Sequence, residues 1–172
     1  MRTIVTVLIL ALTLTACQQQ SKIAFVDNTK VVNEFKKKKN FEAKFKTKIE
    51  KFNKKSDSLQ KAIQMEAQLF QQRASKMSQS KAEEEYNALL QKKQLQDYTL
   101  GNEEQALQEE GQQQIDTLVK EVKAFIKDYG ETNGYDFILG ANDAGSVLYG
   151  EASKDLTEEI LEALNKENNE EE

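Results

Sequence analysis

FKTKIEKFNKKSDSLQKAIQMEAQLF, residues 45–70, holds neither glycine nor proline, and its apolar side chains Phe45, Ile49, Phe52, Leu59, Ile63 and Phe70 recur at near-regular intervals. With Ser56 and Glu66 filling the vacant places, the steps alternate between four and three, which is a heptad seam with two polar interruptions. Glycine is absent from about Thr29 to Ser75, so the seam belongs to one helix of roughly 70 Å at 1.5 Å per residue. A globular domain of this size is narrower than that, and the helix must project from it. The polar run Ser75-Lys76-Met77-Ser78-Gln79-Ser80 is the expected reversal, and a second helix is expected from about Lys81 to Tyr129. Its later part is amphipathic, with Ile115, Leu118, Val119, Val122, Phe125, Ile126 and Tyr129 on one face. Between Gln91 and Gln114 it is rich in glutamine and glutamate and carries Gly101 and Gly111. Each glycine costs about 1 kcal/mol relative to alanine, so this middle portion is expected to bend or fray.

Strand signals flank the hairpin on both sides. Lys22-Ile23-Ala24-Phe25-Val26-Asp27 alternates and is rich in β-branched and aromatic residues, and Asn28 or Thr29 is placed to cap the helix that follows. After Gly130 and Asn133-Gly134 stop the second helix, Tyr135-Asp136-Phe137-Ile138-Leu139-Gly140 reads as a second strand. Ala141 to Gly145 reads as a turn and Ser146-Val147-Leu148-Tyr149-Gly150 as a third strand, giving a β-hairpin. Asp155-Leu156-Thr157-Glu158 has capping-box spacing, and Ile160, Leu161 and Leu164 form the apolar face of a short last helix. The acidic stretch from Asn165 to Glu172 is expected to be disordered, with residues 167–172 as the tail beyond the domain.

The fold class is therefore α+β and mostly α. A small β-body of about three strands (residues 22–27 and 135–164) carries a long antiparallel helical hairpin (residues 29–130). Three strands and one short helix leave edges and an apolar face that the departing hairpin cannot cover, so self-association is expected. Ile23, Phe25, Phe137, Leu139, Val147 and Leu148 are the residues expected to form that oligomer body.

The first 16 residues do not belong to this fold. Arg2 begins a basic n-region, Ile4 to Leu14 is an apolar run too short to span a bilayer, and Leu14-Thr15-Ala16-Cys17 ends it as a lipoprotein signal does. Cys17 is the sole cysteine and the expected lipidation site, with residues 17–21 as a polar tether. Export to the periplasm and anchoring in a membrane follow, the inner leaflet of the outer membrane being the expected place. The sequence has no histidine, tryptophan or proline. Lipidation would also consume the only thiol, so most catalytic and metal-ligating chemistry lacks its residues. No enzyme, no cofactor and no metal site are expected.

The net charge of −5 conceals a marked asymmetry. Residues 36–61 carry eleven lysines against three acids, for +8, whereas residues 83–131 and 151–172 carry −7 each. Complementary faces of paired helices would produce this, and so would a surface built to attract an acidic partner. Nucleic acid is not the expected partner, because export and the absence of interleaved recognition motifs argue against it.

Taken in order, these motifs resemble the OmpH/Skp family of periplasmic chaperones for outer-membrane proteins. The resemblance covers Lys22 to about Lys166. It rests on Lys22 to Asp27 leading into Val31-Val32-Asn33-Glu34-Phe35, on Asn133 to Leu139, and on Val147-Leu148-Tyr149-Gly150 followed by Asp155-Leu156-Thr157. About a hundred residues of lysine- and glutamine-rich helix separate the first motif from the second. The resemblance implies a homotrimer with a shared β-rich body, three helical tentacles around a cavity, and ATP-independent holding of unfolded outer-membrane β-barrel proteins. Lys36, Lys37, Lys38, Lys39, Lys44, Lys46, Lys48, Lys51, Lys54 and Lys55 are then candidates for a basic client-binding wall. Two features depart from the family. Its members are generally soluble, whereas Cys17 would bring this chain to a membrane surface. A basic tentacle tip is also associated with the family, whereas the densest lysines here lie near the body. The competing reading is a structural coiled-coil lipoprotein that tethers or spaces envelope components.

Overall fold

The computed structural model describes residues 21–142 and 146–170. The signal segment, Cys17 and most of its tether, and part of the expected turn lie outside the described residues. In chain order the elements are β1 (Ile23–Asp27), α1 (Asn28–Glu34), α2 (Lys36–Ala74), α3 (Gln79–Thr132), β2 (Phe137–Ala141), a 3-10 turn (Ala152–Lys154) and α4 (Thr157–Glu170). β1 and β2 pair in parallel, with Ile23 opposite Phe137 and Phe25 opposite Leu139. Parallel neighbours need a crossover connection, and here the entire helical hairpin is that crossover.

The expected helix from Thr29 to Ser75 is two helices. Phe35 leaves helical geometry (φ −58°, ψ 120°) and buries its ring completely, redirecting the chain from the body into the hairpin. The new helix start is served from far along the chain, because the Lys36 amide donates to Asn165 Oδ1 at 2.9 Å. The cap of α1 is Asp27, whose Oδ1 accepts from the Lys30 amide at 2.9 Å, and not Asn28 or Thr29, which are already helical.

The reversal falls where expected, between Ala74 and Gln79, with the Ser78 side chain capping α3. The glycine-bearing middle of α3 does not fray, since helix runs unbroken through Gly101 and Gly111. A Cβ on Gly111 would stand 3.0 Å from the Phe45 ring, so the bare glycine lets that ring seat against the helix. Leu100 and Leu107, seven residues apart, are buried in the same seam. α3 ends on Asn133 and on Gly134, whose φ of +67° is the left-handed conformation of a helix-terminating glycine.

The expected third strand is absent. Val147 to Gly150 forms no strand among the described residues, and Leu148 and Tyr149 are 92% and 88% exposed. The second edge of β1 is taken by another segment, where Phe25 bridges Asp155 and the Leu156 amide donates to the Phe25 carbonyl at 2.9 Å. Gly150 lies against the Phe25 ring, while Leu148 and Tyr149 beside it stay in solvent. The expected disordered tail also needs correction, because α4 continues past Asn165 through Glu167 and Asn168 to Glu170. Its reach is explained by Leu164, fully buried, and by Asn165 on the α2 N-terminus.

The core sits where the strands meet the helices: Ala24, Val26, Val31, Phe35, Leu118, Val122, Leu156, Ile160 and Leu164. Each large side chain fully buried there contributes roughly 1.5–3 kcal/mol. Among the described residues Thr157 is the buried polar one, and it is satisfied, accepting from the Asp27 amide at 2.9 Å and donating to Asp155 Oδ1 at 2.5 Å.

Candidate functional site

The hairpin is closed by a seam and by a ladder of ion pairs along one side. Lys37–Glu121 (2.7 Å), Lys48–Glu110 (2.5 Å), Lys55–Glu103 (2.5 Å), Glu66–Lys92 and Arg73–Glu85 (3.4 Å) join α2 to α3. On both helices the rungs are alternately eleven and seven residues apart, so that each eighteen residues make five turns of 3.6 and the ladder stays on one side of the pair. Exposed ion pairs contribute about 0–1 kcal/mol each, so the ladder fixes the register of the hairpin more than its stability.

This ladder divides the expected basic wall. Lys37, Lys48 and Lys55 are rungs of it, and Lys38 pairs with Glu42 on its own helix at 2.6 Å. Lys36, Lys39, Lys44, Lys46, Lys51 and Lys54 form no ion pair among the described residues. These six lie on the body-proximal half of α2 and leave a positive surface there.

A second surface went unread in the sequence. The large exposed apolar side chains of the hairpin all fall between Met65 and Tyr98: Met65 (60% exposed), Leu69, Tyr86, Leu90, Leu95 and Tyr98 (68%). They lie within about 30 Å of the reversal, at 1.5 Å per residue. Met65–Leu69 and Tyr86–Leu90 are pairs four residues apart, each sharing a helix face. The signal was their offset from the seam: Ile63, Glu66 and Phe70 hold the seam positions, which leaves Met65 and Leu69 facing outward. Between the helices here lies an open groove of about 310 Å³. Phe70 and Leu89 give it an apolar floor with Leu69 at its edge, and the charged pairs Glu66–Lys92 and Arg73–Glu85 rim it.

The body carries a third surface. The register places Ile23, Phe25, Phe137 and Leu139 on the sheet face opposite the core. Ile23, Phe137 and Leu139 are exposed, Phe137 at 59%, and Phe25 and Val147 are half-buried. The six residues expected to form an oligomer body thus include an apolar face that one chain leaves open, with Leu148 projecting nearby in sequence from an unpaired segment.

Besides Thr157 and Asn165, two acidic side chains of α4 accept hydrogen bonds that pin it to the rest of the chain. The Lys30 ammonium donates to Glu158, which raises its pKa above the ordinary lysine value. Tyr129 donates to Glu159 Oε1 at 2.5 Å, and that bond, with lesser contributions from burial and from the carboxylate charge, pushes the phenol up to about 12. Among the described residues no group of three or more acidic, histidine or cysteine side chains is placed to hold a metal ion. No described helix is long and apolar enough to cross a membrane.

A family model described as OmpH, outer membrane protein (OmpH-like), matches residues 22–164. The fold is also similar to a solved one, the crystal structure of a candidate outer membrane chaperone (OmpH-like) from Caulobacter crescentus CB15. The TM-score is 0.74 at 15% identity, over 86% of this chain and 85% of that one. Among curated proteins no significant match is found.

Proposed function

This chain belongs to the OmpH-like family, and on that premise we propose that it is an ATP-independent holdase for unfolded outer-membrane β-barrel proteins. The single observation that carries this reading is that, within the hairpin, the exposed large apolar side chains are confined to the distal part, Met65 to Tyr98. An unfolded barrel offers apolar strands and often acidic charge. The unpaired lysines nearer the body attract it at long range, and the distal side chains hold it through many shallow contacts. No residue acts as a catalyst in this scheme.

The open sheet face is where copies of the chain would meet, as a homotrimer whose hairpins enclose the client. Residues 1–16 are proposed to be a removed signal, with Cys17 lipidated in the inner leaflet of the outer membrane and residues 17–21 as its tether. The spacer reading draws support from the unbroken α3 and its ion-pair ladder, but a spacer has no use for exposed Leu95 and Tyr98 on a solvated shaft.

The test dilutes an unfolded barrel protein out of urea with the mature protein and no ATP, following aggregation by light scattering. Suppression is expected. Lys44, Lys46, Lys51 and Lys54 changed to glutamate take the segment of residues 36–61 from +8 to 0 without touching the ladder, and should slow capture at low salt. Exposed charges are screened within about 8 Å at physiological ionic strength, so added salt should bring the wild type toward the variant. No suppression by the wild type at any ratio would favour the spacer.

A further inference from the structure

The point where the chain enters the body fixes which way an anchored molecule faces. Lys22 is clamped there on three sides. Its amide donates to Asp136 Oδ2 at 2.6 Å, its ammonium donates to the Asn133 carbonyl at 2.8 Å, and the same ammonium lies 3.8 Å from the centre of the Tyr135 ring. The return bond runs from the Asp136 amide to the Lys22 carbonyl at 2.9 Å. Asn133, Tyr135 and Asp136 follow directly on the C-terminal end of α3, whose other end begins at the reversal. α3 is continuous over 54 residues, which is about 80 Å at 1.5 Å per residue. The entry point and the hairpin tip are therefore opposite poles of the molecule.

We infer that, in the anchored form, the lipid surface is met by the pole around Lys22, Thr132 and Asp136, and that the hairpins point away from the bilayer. This inference rests on lipidation of Cys17 as proposed above. Five residue steps separate Cys17 from Lys22, and at about 3.6 Å per step they extend to no more than about 18 Å. That length holds the pole against the membrane and is far too short to bring the tip to it by inversion. In an assembly of several copies, the anchors leave from one pole and act as the feet of one stand, holding the long axis upright. The distal apolar surface then opens toward the aqueous compartment, so clients are met there and not at the membrane carrying the anchor.

The full-length lipoprotein, purified from bacterial membranes, provides the test. Lipidation blocks the Cys17 thiol, and Cys17 is the only cysteine, so Thr132→Cys and Lys76→Cys each give a single site for a donor dye, one per pole. Both residues are exposed. The labelled proteins are added to vesicles of phosphatidylethanolamine and phosphatidylglycerol containing an acceptor-labelled lipid. Strong energy transfer is expected from position 132 and transfer weaker by at least about ten-fold from position 76, given the roughly 80 Å of helix between them. Equal transfer, meaning that the hairpin lies along the surface, would overturn the inference, as would stronger transfer from position 76. If the protein does not co-sediment with vesicles and carries no lipid by mass spectrometry, the anchoring reading itself has failed, and the two failures are thereby distinguished.

Discussion

Tyr129 shows how a single side chain couples this fold to pH. Its hydroxyl donates to Glu159, and the bond exists only while the phenol keeps its proton. Raised to about 12 from an ordinary value of 10.0, the group contributes stability that is fully present below about pH 10. That contribution is lost as pH climbs through the folded value. Tyr129→Phe lacks the bond at every pH. The wild type should therefore have the higher urea midpoint at about pH 8, and its lead should vanish by about pH 12. A lead that does not change with pH would show that the bond contributes nothing. Phe35 is the residue-scale feature the sequence hid. It continues a helical pattern, and only the core closing around its ring, with Asn165 supplying a cap from 129 positions away, makes it a break.

Among the elements, the hairpin was legible because its signal is local and repeated. The alternating seam from Phe45 to Phe70 runs along the less exposed face of α2, and the polar run after Ala74 is the reversal. In the middle of α3, packing outweighs the low helix propensity of glycine. Gly111 faces Phe45, and Leu89, Leu100, Leu107 and Leu118 repeat the eleven-and-seven spacing of the ion-pair ladder, a pattern that a count of glutamines conceals. The sheet was half legible. Both real strands could be read from their composition, whereas the third met the same composition test and fails for want of a partner within the chain. Its outer face yields the next prediction. In a lone chain Phe137 is 59% exposed, so aspartate there would be tolerated. Inside an assembly it would bury an unpaired charge at a cost of several kcal/mol. Phe137→Asp should therefore sediment as a folded monomer while the wild type does not. The same mass for both would mean that this face is not where copies meet.

At the scale of the whole molecule, three surfaces are laid out along one axis. The pole that receives the chain is clamped through Lys22, the lysines on the proximal part of α2 are divided between ladder and solvent, and the apolar side chains gather beyond Met65. The candidate lysines could be found by counting charge, but which of them are free depends on the register of α3, which no local pattern specifies. The distal apolar surface is the part of the account on which function depends most. Its central test is the light scattering of an unfolded β-barrel protein diluted at physiological salt, where long-range charge is already screened. The wild type is compared there with a variant carrying Met65→Ser, Leu69→Ser, Leu95→Ser and Tyr98→Ser. All four side chains are exposed, so the variant should keep its helical circular dichroism and lose most of its suppression of aggregation. Full suppression by the folded variant would contradict the claim that the distal hairpin holds the client.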